Sequence, residues 1–268
     1  MADVSNNDKW FSQLENHLRC SEQNWLLGAG ISYDAKLPLM YPLTSKVTSE
    51  IENASPQAFQ KIIKPLIDEL PVEFHIEHIL SHLGDYTALA ERAKSKAASI
   101  NGQSVTLAEL ETIHEDILSR IAQTIRFGYV QASEDSEALQ GTLEEPIVCV
   151  ASHADFIDVL FNHAQAGIAE RMKPTNIFTT NYDTLLEDAM ALNRIDYWDG
   201  FSGGAVAYRT LKYGESLPQS GFRANLIKMH GSIDWYLCEK TTFGVLETTI
   251  VTPTNKNECS FIPKQQNI

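Results

Sequence analysis

Residues Asn176–Met190 read NIFTTNYDTLLEDAM. Ile177 and Phe178 form a short apolar strand that runs into a polar knot, Thr179–Asp183. Leu185, Leu186, Ala189 and Met190 then fall on one side of a helix. The helix start is signalled twice: Asp183 is placed to cap free N–H groups, and Thr184 with Glu187 fits a capping box. Strand, polar turn and helix in succession are how an open α/β sheet builds a crevice at the carboxyl edge of its strands. Asn181 and Asp183 read either as turn and cap residues or as members of a site, because an amide, a carboxylate and two hydroxyls exceed what turning requires.

Upstream, Trp10, Phe11, Leu14 and Leu18 recur at helical spacing. A short strand, Asn24–Leu27, then meets Gly28-Ala29-Gly30-Ile31-Ser32. Glycines there let the backbone turn sharply and approach a ligand, with N–H groups facing a pyrophosphate. The loop is not G-x-G-x-x-G, since Tyr33 stands at the third glycine, so by itself it reads as a phosphate cradle or a plain tight turn. From about Thr44 to Phe127 the pattern is helical, with stripes at Phe59–Leu70, Phe74–Leu83 and Leu107–Ile125, broken at Asn101-Gly102. Residues 131–145 are acidic and nonperiodic and read as a solvated loop. A helix at about His153–Arg171, with Phe156, Leu160, Ala164 and Ile168 on one face, leads into the central strand. Asp199–Gly204 reads as a mobile loop, Asn225–Met229 as a strand delivering His230-Gly231-Ser232-Ile233-Asp234-Trp235, and Leu246–Val251 as a third strand. The expectation is an α/β, Rossmann-like parallel sheet flanked by helices, with its core at about 20–45 and 150–268 and a large helical insertion at about 46–145.

The 268 residues are 43% hydrophobic, enough for a sizeable core. With 21 Lys and Arg against 35 Asp and Glu, the formal charge is −14, which repels phosphate backbones and anionic lipid at long range. Neither nucleic acid nor a membrane is therefore expected as the main partner, whereas a pocket can still favour a small anion. The first twenty residues lack a signal peptide's apolar core and no apolar run reaches spanning length, so the expected location is cytoplasmic. Cys20, Cys149, Cys238 and Cys259 are scattered, with neither a disulfide framework nor a zinc knuckle. His75, His78 and His82 lie at i, i+3 and i+7, but no carboxylate partner or H-E-x-x-H pattern accompanies them, so they read as pocket-flanking or solvent-facing. No G-x-S-x-G hydrolase signature occurs.

Three polar clusters thus sit at strand ends: Gly28–Ser32, Thr179–Asp183 and His230–Asp234. In that order, the Gly-Ala-Gly-Ile-Ser loop, the Thr-Asn-Tyr-Asp turn and the His-Gly-Ser motif resemble the catalytic core of the sirtuins. More narrowly they resemble the sirtuin-like NAD-cleaving effectors of prokaryotic anti-phage defence, in which Asn-Tyr-Asp replaces the Asn-Ile-Asp of protein deacylases. Ile76–Leu80 and Asp199–Phe201 are similar to that subgroup too, less specifically. The resemblance covers roughly 20–45 and 150–255.

The resemblance implies cleavage of NAD to nicotinamide and ADP-ribose, with NAD depletion halting phage growth. It implies that Asn181 positions the ribose and the attacking water, that Asp183 supports the nicotinamide side, and that His230 is the general base. Gly28, Ala29, Gly30 and Ser32 would hold the diphosphate, with Thr180 and Ser232 in support. Protein-deacylating sirtuins carry a four-cysteine zinc module that these spacings do not allow, so no zinc is expected. Their Asp-Phe-Arg continuation is replaced by Tyr33–Pro38, a further point against deacylation. The sheet of the family needs segments beyond Ile268, so the sequence is expected to be a fragment or to be completed by a neighbouring chain. A silent effector also implies a homo-oligomer and a sensor or scaffold: a HerA-type ATPase, an Argonaute-like protein or a C-terminal sensor domain. A non-catalytic module sensing NAD or ADP-ribose is the binding-protein alternative.

Overall fold

The computed structural model describes residues 4–18, 20, 22–134, 136–163, 173–203, 206–211, 214–242 and 245–253. In chain order the first elements are helix α1 (Val4–Leu18), strand β1 (Asn24–Leu27) and helix α2 (Met40–Ala54). Two short helices, α3 (Pro56–Ala58) and α4 (Lys64–Glu69), flank a π-helical turn at Phe59–Ile63. Next come α5 (Ile76–Arg92), the hairpin β2 (Ala97–Ile100) and β3 (Gln103–Thr106), α6 (Leu107–Phe127), and the pair β4 (Tyr129–Val130) and β5 (Leu139–Gln140). The remainder holds α7 (Ala151–Asp158), β6 (Thr175–Thr179), α8 (Leu185–Leu192), β7 (Tyr197–Trp198), β8 (Phe201–Gly203), β9 (Val206–Arg209), β10 (Ala224–Lys228), β11 (Tyr236–Thr242) and β12 (Val245–Pro253).

The chain divides into two compact units, one of Met1–Ala35 with Cys149–Ile268, the other Lys36–Val148. The first holds a parallel sheet in the order β1-β6-β10-β7. Strand residues alternate in facing. Ile177, Ala224 and Leu226 pack with Ile157, Leu160 and Phe161 of the α7 segment and with Leu186, Ala189 and Met190 of α8. Burying a large aliphatic side chain stabilises by about 1.5–3 kcal/mol, and this cluster is what fixes α7 and α8 against the sheet. On the opposite face Asn176 donates to Asn24 at 2.8 Å and Asn225 donates to Asn176 at 2.9 Å, an amide row across three strands.

The α/β sheet is as expected, but three local readings change. The predicted mobile loop at Asp199–Gly204 holds β8 over Phe201–Gly203, with Gly204 outside the described residues. Asp199 turns the chain by accepting the Phe201 N–H at 2.9 Å, and Gly200 sits at φ +87°. The third strand does not join the parallel sheet. β12 pairs antiparallel with β11 in a second sheet ordered β11-β12-β9-β8. Two residues separate the pair, and so short a link allows only antiparallel pairing. On α7 the fully buried face is His153 and Ile157, continued by Leu160 and Phe161; of the expected stripe Leu160 is buried and Phe156 is half-buried against the same core, while Ala164 and Ile168 lie outside the described residues.

The second unit is helical around Val47, Ile51, Ile63, Leu66, Ile79, Leu83, Leu110 and Ile117, all essentially inaccessible. Its Asn101-Gly102 break is a two-residue hairpin turn, both residues at positive φ.

Candidate active site

The three polar clusters meet at one edge because the strands that deliver them are neighbours. Leu27, Thr179 and Lys228, the last residues of β1, β6 and β10, lie in one row. The ladder continues one step further, with Thr180 N–H donating to the Leu27 carbonyl at 3.2 Å and Met229 N–H to the Thr179 carbonyl at 2.8 Å. Each chain then leaves at the carboxyl edge, where open α/β sheets hold their ligands.

After β1, Gly28 opens a single 3-10 turn, Ala29–Ser32. Gly28 and Gly30 stay exposed, and a Cβ placed on Gly30 would meet nothing within 4 Å. Thr180, half-buried, lies beside Gly28, its Oγ1 3.8 Å from where a Cβ would stand. The turn carries Ser32 inward to 2% exposure. There its hydroxyl donates to Asp183 Oδ2 at 2.8 Å and accepts from Asn181 Nδ2 at 2.9 Å. Residues far apart in sequence, two of them predicted site residues of the β6 turn and one of the glycine loop, are thus tied by one buried oxygen. The Ser32 proton is spent on Asp183, so Ser32 serves as an internal hub rather than as a donor aimed outward.

Asp183 holds two positions at once. Its Oδ1 accepts the Leu185 N–H at 3.1 Å, an Asx turn that starts α8, while Oδ2 takes Ser32. The expected capping box does not form: the N-cap Thr184 makes no side-chain cap, and its hydroxyl instead donates to Asp188 at 3.5 Å. Glu187 is drawn away to Lys228, 2.8 Å from Nζ.

Lys228, which sequence reasoning did not single out, is buried and uses all three of its donors. They go to Glu187, to Ser232 Oγ at 2.6 Å and to the main-chain oxygen of Asp183. Ser232 in turn donates to the Tyr182 carbonyl at 3.2 Å, as does the Ile233 N–H at 3.0 Å. These bonds fasten the His230–Ser232 segment to the Thr179–Asp183 turn. Burial raises the Glu187 carboxyl above its ordinary range despite the opposing pull of the Lys228 ammonium. His230 is half-buried, its ring centroid 6.4 Å from that of Tyr182. Trp235 packs, as its neighbours require, between Phe201 at 5.1 Å and the Arg209 guanidinium at 4.9 Å.

His153 is the second group that went unread. It is wholly buried on α7, with Nε2 3.3 Å from Ser32 Oγ, and burial pushes its pKa down against the raising field of Asp183. The signal was present: His153, Ile157 and Leu160 follow helical spacing, so the histidine lies on the apolar face. By contrast, His75 and His78 pair with each other and His82 turns elsewhere. His75 N–H donates to His78 Nδ1 at 3.1 Å, and His82 faces Glu69 at 2.6 Å.

Residues 175–261 match the model of a family described as the SIR2-like domain. This stretch is similar to the domain of the sirtuins. The matched third of the sequence contains Asn181, Asp183, Lys228, His230 and Ser232, while Gly28–Ser32 and His153 come to the same edge only through the fold. No curated protein matches the chain. SIR2-like domains are typically enzymes that use NAD as substrate, and the match fits an NAD-related activity broadly. Among the described residues no helix is long and apolar enough to cross a membrane.

Proposed function

We propose that the sirtuin-like domain is an NAD glycohydrolase acting as an NAD-depleting effector in anti-phage abortive infection. The observation that carries the enzymatic reading is the buried Asn181–Ser32–Asp183 network at the carboxyl edge of β6. Water oxygen bonds to C1′ of the nicotinamide ribose, the glycosidic C–N bond breaks, and its electron pair leaves on neutral nicotinamide. The water proton passes to His230 and the other product is ADP-ribose. This bond breaks through an oxocarbenium-like state, so a nearby carboxylate such as Asp183 stabilises the developing positive charge. The leaving group is already good, and the main task is orientation. Asn181 suits it: its Nδ2 is pinned on Ser32, which fixes Oδ1 as the end turned to other partners. Gly28, Ala29 and Gly30 supply an open backbone turn for the diphosphate, with Thr180 and Ser232 as supporting hydroxyls. A homo-oligomer and a sensor or scaffold partner, of the HerA-type ATPase, Argonaute-like or C-terminal sensor kind, belong to the same proposal.

Nicotinamide release from NAD by purified protein, with and without an acetyl-lysine peptide, tests the reading. Peptide-independent release that falls about 100-fold in Asn181→Ala and 100- to 10,000-fold in His230→Ala supports hydrolysis. Release only with peptide establishes a deacylase instead. Tight NAD binding without release, unchanged in His230→Ala, establishes a sensing module.

A further inference from the structure

The hydrogen inventory at Ser32 is closed. A hydroxyl has one proton and two lone pairs. The proton goes to Asp183 Oδ2 and one lone pair receives Asn181 Nδ2–H. The remaining contact, 3.3 Å to His153 Nε2, is a hydrogen bond only if Nε2 carries a proton. The Nε2–H tautomer makes that bond and leaves Nδ1 bare, buried and without a hydrogen-bond partner. An orphaned buried acceptor is costly, and the histidine occupies an apolar-face position that a leucine or methionine would fill without that cost. The Ser32 hydroxyl is held by the two groups it orients and by His153.

We propose that His153 is a positioning residue: its Nε2–H fixes the rotamer of Ser32, and through that hydroxyl sets the Asn181 amide and the Asp183 carboxylate for NAD. This rests on the NAD reading of the site. The hydrogen bonds that link His153 to Asn181 and Asp183 pass through the one Ser32 oxygen. Without the third bond the Ser32 oxygen is held only by the two groups it orients, and the amide and carboxylate lose a shared reference point.

The test compares wild type, His153→Gln and His153→Leu. Glutamine places an amide N–H close to the position of Nε2–H and does not titrate; leucine fills the space and donates nothing. The result expected is a 10- to 100-fold fall in kcat for His153→Leu, with KM changed much less, and recovery of most of the loss in His153→Gln. If the wild type binds NAD without cleaving it, the same order is read in Kd. Nitrogen NMR of the His153 ring is recorded in parallel and reports Nε2–H with bare Nδ1, whether or not NAD is turned over. An Nδ1–H tautomer, or a His153→Gln variant no better than His153→Leu once both are folded, overturns the positioning role while leaving the NAD reading intact. Wild type that neither binds nor cleaves NAD overturns the NAD reading and the role built on it, and the ring spectrum still shows whether the hydrogen-bond assignment held.

Discussion

Lys228 shows how much a single buried side chain can decide. Its ammonium joins three backbone segments, through Asp183, Ser232 and Glu187, with a side-chain exposure of 3%. Breaking a buried pair by removing one partner leaves the other charge stranded, at a cost of about 3–5 kcal/mol. Lys228→Met should therefore destabilise the α/β unit by about that amount, because Glu187 Oε2 already has no partner. Replacing both charges, as Lys228→Met with Glu187→Leu, should restore most of the loss. All four tryptophans, Trp10, Trp25, Trp198 and Trp235, lie in this unit, so urea unfolding followed by tryptophan fluorescence reads it selectively. A double variant no more stable than the single one would show that the clamp to Asp183 and Ser232 matters more than the charge balance. The variants Asn181→Ala and His230→Ala belong to this scale too, and the signature expected from the proposed function is lost turnover in proteins that still fold, with a modest loss of stability for Asn181→Ala because its amide bonds the buried Ser32 oxygen.

Among the elements, α6 starts on a complete capping box. Thr106 Oγ1 accepts the Glu109 N–H at 3.3 Å, and Glu109 Oε2 accepts the Thr106 N–H at 2.9 Å. Lys61 reaches the other carboxylate oxygen at 2.6 Å. Thr106→Ala should cost about 1 kcal/mol by removing the cap. The Lys61 hydrogen bond, followed by those of Thr106, brings the Glu109 pKa from 4.5 down to about 2. A carboxyl depressed in the folded state contributes stability above its unfolded pKa and loses it as pH falls toward the folded value. The stability gap between wild type and Glu109→Gln should thus be full at neutral pH and narrow between about pH 4.5 and about pH 2. The pair is well exposed, so the gap is small and screened by salt. Calorimetric midpoints measured down the pH series check the sign, and a gap that widens on acidification would refute it.

Over the whole molecule the formal charge of −14 sets a general self-repulsion. Raising salt from about 10 mM to about 150 mM shortens the screening length from about 30 Å to about 8 Å. The thermal midpoint should rise over that interval, since repulsion among exposed carboxylates is relieved while the buried Lys228–Glu187 pair is screened far less. A midpoint that falls with salt would mean that surface attraction, for example Lys173–Glu22 and Arg120–Asp116, outweighs net repulsion. The same charge is the reason for expecting no direct binding of nucleic acid.

The sequence by itself determined the α/β class, the strand-turn-helix at Thr175–Leu192 and the three polar clusters, because each is written in local periodicity and in glycine and polar spacing. The hairpin at Asn101-Gly102 was legible in the same local code, though it reads as a break until its partners Ile100 and Gln103 are paired. Only the tertiary structure decided which strands are neighbours, and with that the meeting of Ser32 with Asn181 and Asp183 across some 150 residues. It also decided against the Thr184–Glu187 box, because the buried ammonium of Lys228, at the end of β10, attracts Glu187 more strongly than a neutral backbone N–H does. Lys228 and His153 remained unread for one physical reason. A polar residue at an apolar position has no local signature of purpose, and the partner that satisfies it comes from a strand or loop that folding alone brings near.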